Sequence, residues 1–561
     1  MKQLTRWQRG MVLVFGLFAL CLFAKAPAGA QSVAELEKKT HEWPMYHHDL
    51  AGTRFSPLDQ ITTRNVKSLA LKWIFQTGNV DEGLNVTPIV VDGVMYVTTG
   101  GFKTDIFALD AKTGRMQWRT TYENASNVPL CCGTLNRGVV VGHGKVYYLS
   151  LDAHLVAFDA KTGQQLWKTQ IVDFADGFSN TSPPILVKNL VIAGIAGAEF
   201  PVRCFLDAYD AETGKRVWRF YTIPGPGEPG NETWGGDSWQ YGGGSTWLPG
   251  TYDPETNLIY WGIGNPAPFF YGDVRPGDNL YTTSLAALDA DTGKLKWYFQ
   301  HIPHDVWDFD SMNEPILVNT TIGGKAVKAV VQVHKNGYVY AFDRVTGKPL
   351  YATQYVKKIN WTKGLTTDFK PIPDVVPTPE GATIWPSLVG GKNWNHAAYN
   401  PKLGLIFVPG MDAPMIAISQ KQEPKKGLFY LGGEYKMLPG EGPPGFISAI
   451  DVKTGKTVWR NDTKYPQMSS VLATAGDLVF YGDPDGTFVA LDARTGKELW
   501  SINTGAGHRA SPISYLVDGK QYIAVPSGWG GGTAMADLPS AWPEMKDFTK
   551  GDAIVVFGLP D

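Results

Sequence analysis

The chain has no Cys-x-x-Cys-His motif, which excludes a covalently attached c-type haem. Long apolar sequence is also scarce. Residues 11–23 form a run of 13, short for a membrane span, and no other run is long and apolar enough for stable membrane insertion. Lys2, Arg6 and Arg9 precede that run and Ala28-Gly29-Ala30 follows it, so residues 1–30 read as a cleaved secretory signal and residues 31–561 as the exported protein. Positive charge is not in excess either. Removing the signal leaves 47 Lys and Arg against 53 Asp and Glu, a net charge of −6, which gives no support to a nucleic-acid partner. Cysteine is sparse: Cys21 leaves with the signal, and Cys131, Cys132 and Cys204 remain. An exported protein can keep disulfides, yet ordinary bridge geometry disfavours adjacent cysteines. Cys131 and Cys132 are either two reduced neighbours or a strained vicinal ring.

What the chain does have is 19 tryptophans and one phrase written seven times, roughly Ala-x-Asp-x-x-Thr-Gly-x-x-x-Trp. It occupies residues 108–118, 157–167, 208–218, 287–297, 341–351, 449–459 and 490–500, and the fifth copy ends in Tyr351. A unit recurring at about 40–55 residues points to a propeller, because one blade cannot bury its apolar face alone. Asp-x-x-Thr-Gly is turn chemistry, with Gly supplying the left-handed position and Asp bonding its own backbone. The flanking apolar residues read as hairpin strands. The repeat aspartates are spaced by 49, 51, 79, 54, 108 and 41 residues. A weakened copy at residues 398–404 splits the step of 108, and residues 252–257 place an extra hairpin or insertion in the step of 79. Counting the weak copy as closing its own blade, the chain is predicted to be all-β, a single eight-bladed β-propeller with tryptophan-docking repeats. Residues 71–76 and 553–558 are expected to meet and fasten the ring.

The chemistry concentrates outside the repeats. His301-Ile302-Pro303-His304-Asp305-Val306-Trp307-Asp308-Phe309-Asp310 holds three carboxylates and two imidazoles. Asp308 and Asp310 would share one face of an extended backbone, and at about 4 Å they would repel by roughly 4 kcal/mol at an effective dielectric of 20. Relief requires a shared proton, an arginine or a hard cation; the plain alternative is a solvated acidic loop. Gly242-Gly243-Gly244-Ser245-Thr246-Trp247 sets an aromatic plane behind three glycines, suited to the close approach of a flat ligand. Gly262-Ile263-Gly264-Asn265-Pro266 presents an amide oxygen in a stiff turn, Gly197-Ala198-Glu199 places an acid among small residues, and residues 390–395 are a second glycine-then-aromatic segment. A propeller gathers its loops around one axis, which would bring these distant segments to one pocket.

At these residues the chain resembles the quinoprotein alcohol dehydrogenases, exported eight-bladed propellers that use pyrroloquinoline quinone (PQQ). The likeness runs from about Trp43 to the C-terminus and rests on the repeats, Cys131-Cys132-Gly133, Gly197-Ala198-Glu199, Gly264-Asn265-Pro266-Ala267-Pro268, Arg275-Pro276-Gly277-Asp278-Asn279 and Pro303-His304-Asp305-Val306-Trp307-Asp308. The resemblance implies a vicinal Cys131–Cys132 disulfide and Trp247 sandwiching the quinone. It implies polar contacts from Arg137, Thr181, Ala198, Ser245, Lys335 and Asn393, with Trp394 beside them. Glu199, Asn265 and Asp308 would hold a metal, and Asp308 would be the general base. A glutamate that usually contacts the quinone is replaced by Asn85, whose neutral amide still hydrogen-bonds.

Asp310 bears on the metal. Calcium enzymes of the family usually have a small uncharged residue here, whereas the lanthanide-dependent branch has aspartate. A trivalent cation gains from a further carboxylate and polarises a carbonyl more strongly, so a lanthanide ion is expected, with Ca2+ as the alternative. The resemblance further implies a periplasmic enzyme oxidising a small primary alcohol and passing electrons to a soluble cytochrome c, with a homodimer left open. Two rival readings are a sugar or polyol quinoprotein dehydrogenase and a non-catalytic scaffold propeller. Pro268-Phe269-Phe270-Tyr271 is expected near the pocket mouth, where its bulk favours small alcohols.

Overall fold

Each repeat phrase folds into the turn between the two outer strands of a sheet. In the first copy, between Lys103–Asp110 and Met116–Glu123, the Asp110 carboxylate accepts from the backbone N–H groups of Lys112 and Thr113 and from the Thr113 hydroxyl. Gly114 adopts φ +72° and donates its N–H to the Asp110 carbonyl at 2.8 Å. The terminal tryptophan joins one sheet to the next. Trp118 Nε1 donates to the Ala160 carbonyl at 3.1 Å, and its ring covers Gly163 so closely that a Cβ there would lie 2.6 Å from Cε3. The same docking pairs Trp218 with Gly293, Trp297 with Gly347 and Trp459 with Gly496. Tyr351 substitutes in the degenerate copy, lying over Gly455 and donating its hydroxyl to the Val452 carbonyl at 2.8 Å. The repeat is therefore an inter-blade fastener as well as a turn.

The computed structural model describes residues 33–532 and 537–560, so the expectation of a signal at residues 1–30 lies outside the described residues. Eight antiparallel sheets of four strands follow one another, their first strands being Ile89–Val91, Val140–Gly142, Ile185–Val187, Thr251–Asp253, Ile316–Ile322, Ala398–Asn400, Leu472–Thr474 and Ile513–Val517. The strand Phe55–Ser56 adds to the seventh sheet in parallel. In the eighth sheet Ala70–Gln76 pairs antiparallel with Ala553–Gly558, so strands from the two ends of the chain close the ring. Trp73 of that closing strand covers Gly114 of the first sheet.

Two sequence expectations change. The weak copy at residues 398–404 does not close a blade of its own; it is the inner turn between Ala398–Asn400 and Leu405–Met411 of the sixth sheet. The eighth sheet is built instead from the chain ends, which carry no repeat phrase. Residues 252–257 are likewise no insertion but the inner hairpin of the fourth sheet.

Between the fifth and sixth sheets, and within the sixth, the chain departs from the repeat to form small extra sheets. The larger joins Ala382–Ile384, Met415–Ser419 and Gly433–Met437. Among the described residues no helix is long and apolar enough to cross a membrane.

Candidate active site

Loops from successive sheets enclose a cavity of about 470 Å³, within the range of small-molecule sites. Cys131 and Cys132, between the first and second sheets, are disulfide-bonded to each other and line it. Arg137, Thr181, Glu199, Trp247, Asp308, Asp310, Lys335, Asn393 and Trp394 also line it. The sequence-predicted segments thus converge. Ala198, Ser245 and Asn265 lie in the layer behind. Ala198 packs against Gly243, and Ser245 and Asp310 crowd Gly264 from two sides. Asn265 donates its backbone N–H to the Asp310 carboxylate at 2.8 Å and its side-chain amide to the Pro266 carbonyl. A Cβ on Gly264 would come 2.6 Å from Asp310 Oδ1, so glycine is what permits that approach.

The acidic segment is shaped by its own first carboxylate. Asp305 accepts from the N–H groups of Trp307 and Phe309, both at 3.0 Å, curling the chain so that Trp307 and Phe309 bury against Trp361. Arg275 locks this turn to its neighbour by donating to the carbonyls of Asp305 and Pro268. Asp308 takes φ +64°, an unusual backbone state for a residue with a Cβ. Asp308 and Asp310 do meet, as the sequence suggested, but through this curled loop and not through the alternation of a strand. Lys335 Nζ donates to both carboxylates, at 3.1 Å and 3.0 Å.

Burial, together with repulsion from Asp310, raises the Asp308 carboxyl well above its ordinary range, against the pull of Lys335. Burial works against the Lys335 charge, but Asp308 and Asp310 hold the ammonium firmly protonated. Burial and Asp310 raise Glu199 to about 7. Three carboxylates face one ammonium, so the cluster has a strong negative bias. Its oxygen donors suit a hard cation. The Glu199 carboxylate also lies within 4.8 Å of both disulfide sulfurs, which are no metal ligands while bonded to each other.

Another part of the cavity lining is basic and aromatic. Arg137 donates from Nη1 to the Thr181 hydroxyl at 2.8 Å and lies 5.2 Å from the Trp247 ring and 5.1 Å from the Trp394 ring. Its Nε is buried without a partner. A planar group bearing carboxylates at one edge and carbonyl oxygens at the other matches this division. Asn313 ties the walls together, accepting from the Lys335 N–H and donating to the Asn393 carbonyl.

Phe269, Leu388, Phe429, Leu431 and Leu538 give the cavity an apolar part of its lining. Beside them the Tyr435 hydroxyl donates to Asp537 at 3.0 Å. Phe269, from the 268–271 run, lines the cavity. The other apolar lining residues, and Asn313, were not legible in the sequence, because they sit in segments without a repeat. His304 is a turn residue bonded to the Gly277 carbonyl and does not line the cavity.

Known proteins carry the same design. The family profile "PQQ: Glucose/ethanol/alcohol dehydrogenase, beta-propeller domain" matches residues 43–359 and 357–523. The chain is 37% identical to the quinoprotein alcohol dehydrogenase PedH of Pseudomonas putida, over 98% of this chain and 96% of that protein. It is 36% identical to the lanthanide-dependent methanol dehydrogenase of Methylacidiphilum fumariolicum, over 94% and 91%. The solved structure of a europium-containing methanol dehydrogenase superposes with a TM-score of 0.88 at 34% identity, covering 94% of this chain and all of that one. Matched nearly end to end in sequence and fold, with the vicinal disulfide in place, this chain belongs to the PQQ-dependent alcohol dehydrogenases.

Proposed function

We propose that the chain is a periplasmic dehydrogenase that oxidises small primary alcohols to aldehydes, using PQQ with a lanthanide ion, and delivers electrons to a soluble cytochrome c. One observation carries this reading: Glu199, Asp308 and Asp310 line one cavity, and among the described residues Lys335 is the ammonium that donates to Asp308 and Asp310. The names of the relatives support it, since one is a lanthanide-dependent methanol dehydrogenase and the solved neighbour contains europium.

Glu199, Asp308 and Asp310, with the Asn265 amide oxygen, would hold the cation. Cys131–Cys132, Trp247, Arg137, Thr181, Ala198, Ser245, Asn393 and Trp394 would hold the quinone. When bound, PQQ supplies the two-electron acceptor and the trivalent ion supplies Lewis acidity. The rest falls to this chain's own groups. Asp308 is the general base, and because Lys335 occupies Oδ2, Oδ1 is the oxygen that takes the alcohol proton. Lys335 donates to that carboxylate and works against the burial that raises it. Phe269, Leu388 and Leu431 line the cavity and would exclude water from it.

The test is dye-linked alcohol oxidation by metal-free protein reconstituted with PQQ plus lanthanum or calcium. Activity with lanthanum, and its loss in Asp310→Ala, is the expected result. Activity with calcium alone would overturn the metal assignment but keep the enzyme. No bound quinone and no activity with either ion would remove the enzymatic reading.

A further inference from the structure

Behind the cavity wall stands a second buried arginine. Arg509 is fully buried, and its Nη1 donates to the carbonyls of Gly530 and Gly531, while Nε and Nη2 have no partner. Gly532, the next residue along that wall, lines the cavity. The inner segment at residues 85–87 ties this region to Arg137, since Ser511 donates to the Val86 carbonyl and Thr87 donates to the Arg137 carbonyl. Arg137 is close enough to Arg509 to depress it further, to about 9, beyond the larger effect of burial.

Neither guanidinium forms an ion pair among the described residues, and the undescribed segment nearest in sequence, residues 533–536, is Thr-Ala-Met-Ala, with no acid. Asn85, next to Val86 in that inner segment, is neutral, and its Oδ1 is also buried without a partner. Burying a charge without a counter-charge costs several kcal/mol even after relaxation. Two adjacent like charges add repulsion. Carbonyl acceptors satisfy some N–H groups but do not neutralise either arginine. The fold thus holds two positive charges beside a ligand cavity, and among the described residues no acid pairs with either of them.

We propose that Arg509 and Arg137 form a dicationic receptor for a carboxylate of the bound quinone, with Arg509 acting from behind the wall to raise cofactor affinity. This rests on the PQQ reading above. Arg137 faces the cavity and contacts the carboxylate; Arg509 is a positioning residue that supplies the second charge. Guanidinium–carboxylate pairing of this kind is both strong and directional.

The experiment measures equilibrium binding of PQQ and of its uncharged trimethyl ester, by quenching of tryptophan fluorescence, to the wild type and to Arg509→Met. It also measures the Tm of each protein with and without PQQ. The variant should bind PQQ at least tenfold more weakly at low ionic strength and the triester equally well. The variant without cofactor should melt no lower than the wild type, because an uncompensated charge has gone, and its gain in Tm on adding PQQ should shrink. Equal PQQ affinity in both proteins would overturn the inference and leave the enzyme reading standing. A parallel loss for PQQ and triester, with a lower Tm, would also overturn it, by showing a structural role only. Failure of the wild type to bind PQQ would instead overturn the reading on which the inference rests.

Discussion

The rim and the axis of this propeller follow opposite rules. At the rim almost every polar group of the repeat is satisfied locally. Asp110 and its counterparts accept from their own turns, and Trp118, Trp218, Trp297 and Trp459 each donate to a carbonyl of the following sheet. Trp73 and Trp167 are exceptions whose Nε1 groups are unpaired, while the hydroxyls of Tyr515 and Tyr147 donate to the equivalent carbonyls of Ala111 and Ala211. At the axis the groups are mismatched. Two carboxylates share one lysine, Asp308 has left-handed backbone geometry, and Arg137 and Arg509 form no ion pair among the described residues. The rim is locally consistent and the axis is not. That contrast is what a stable ring supporting a preorganised site should look like.

The sharpest break of this comparison is at the axis. Asp308→Asn keeps the shape but cannot accept a proton, so kcat should fall on the order of 10³-fold. Lys335 retains Asp310, so the melting temperature should hardly move. Steady-state kinetics on the reconstituted protein decide this, and a near-normal rate would strip Asp308 of its role as base. The matching change at the rim is Trp218→Ala, which empties the socket over Gly293 and removes the bond to the Ala290 carbonyl. It should cost about 3 kcal/mol in urea unfolding, with unchanged kcat per folded molecule. If Trp218→Ala lowered kcat as far as Asp308→Asn does, the division between rim and axis would be wrong.

The same division governs how much the sequence reveals. The rim was legible because its interactions lie within one turn, and a phrase that bonds to itself leaves a pattern in the letters. The meeting of the chain ends, Ala70–Gln76 with Ala553–Gly558, was expected and is found, but the blade they close carries no repeat phrase, so the eighth blade was counted at residues 398–404 instead. Residues 398–404 mimic the outer turn because an inner hairpin meets the same need for a tight reversal. At the axis, Asp308, Asp310 and the paired cysteines announced themselves through composition. Asn313, Tyr435, Asp537 and Arg509 did not, since each is an ordinary residue whose setting exists only once the ring has closed.

The smallest expected effect is one of sign. Glu199 is raised from 4.5 to about 7, chiefly by burial and then by Asp310. A carboxyl raised on folding binds its proton more tightly in the native state, so the metal-free protein should lose stability as pH climbs from about 4.5 to 7. Because Glu199 lines a cavity open to solvent, the effect should be on the order of 1 kcal/mol, less than the full shift implies. Rim acids behave oppositely. The Thr292 hydroxyl lowers Asp289, whose contribution is present above the ordinary carboxyl range and fades as pH falls through its depressed value. Melting temperatures of metal-free protein across this range, for the wild type and Glu199→Gln, separate the two. The variant should lose the decline towards neutral pH and keep the decline in acid. An unchanged profile would mean that Glu199 titrates as an ordinary surface acid, and that the axis is less strained than its geometry implies.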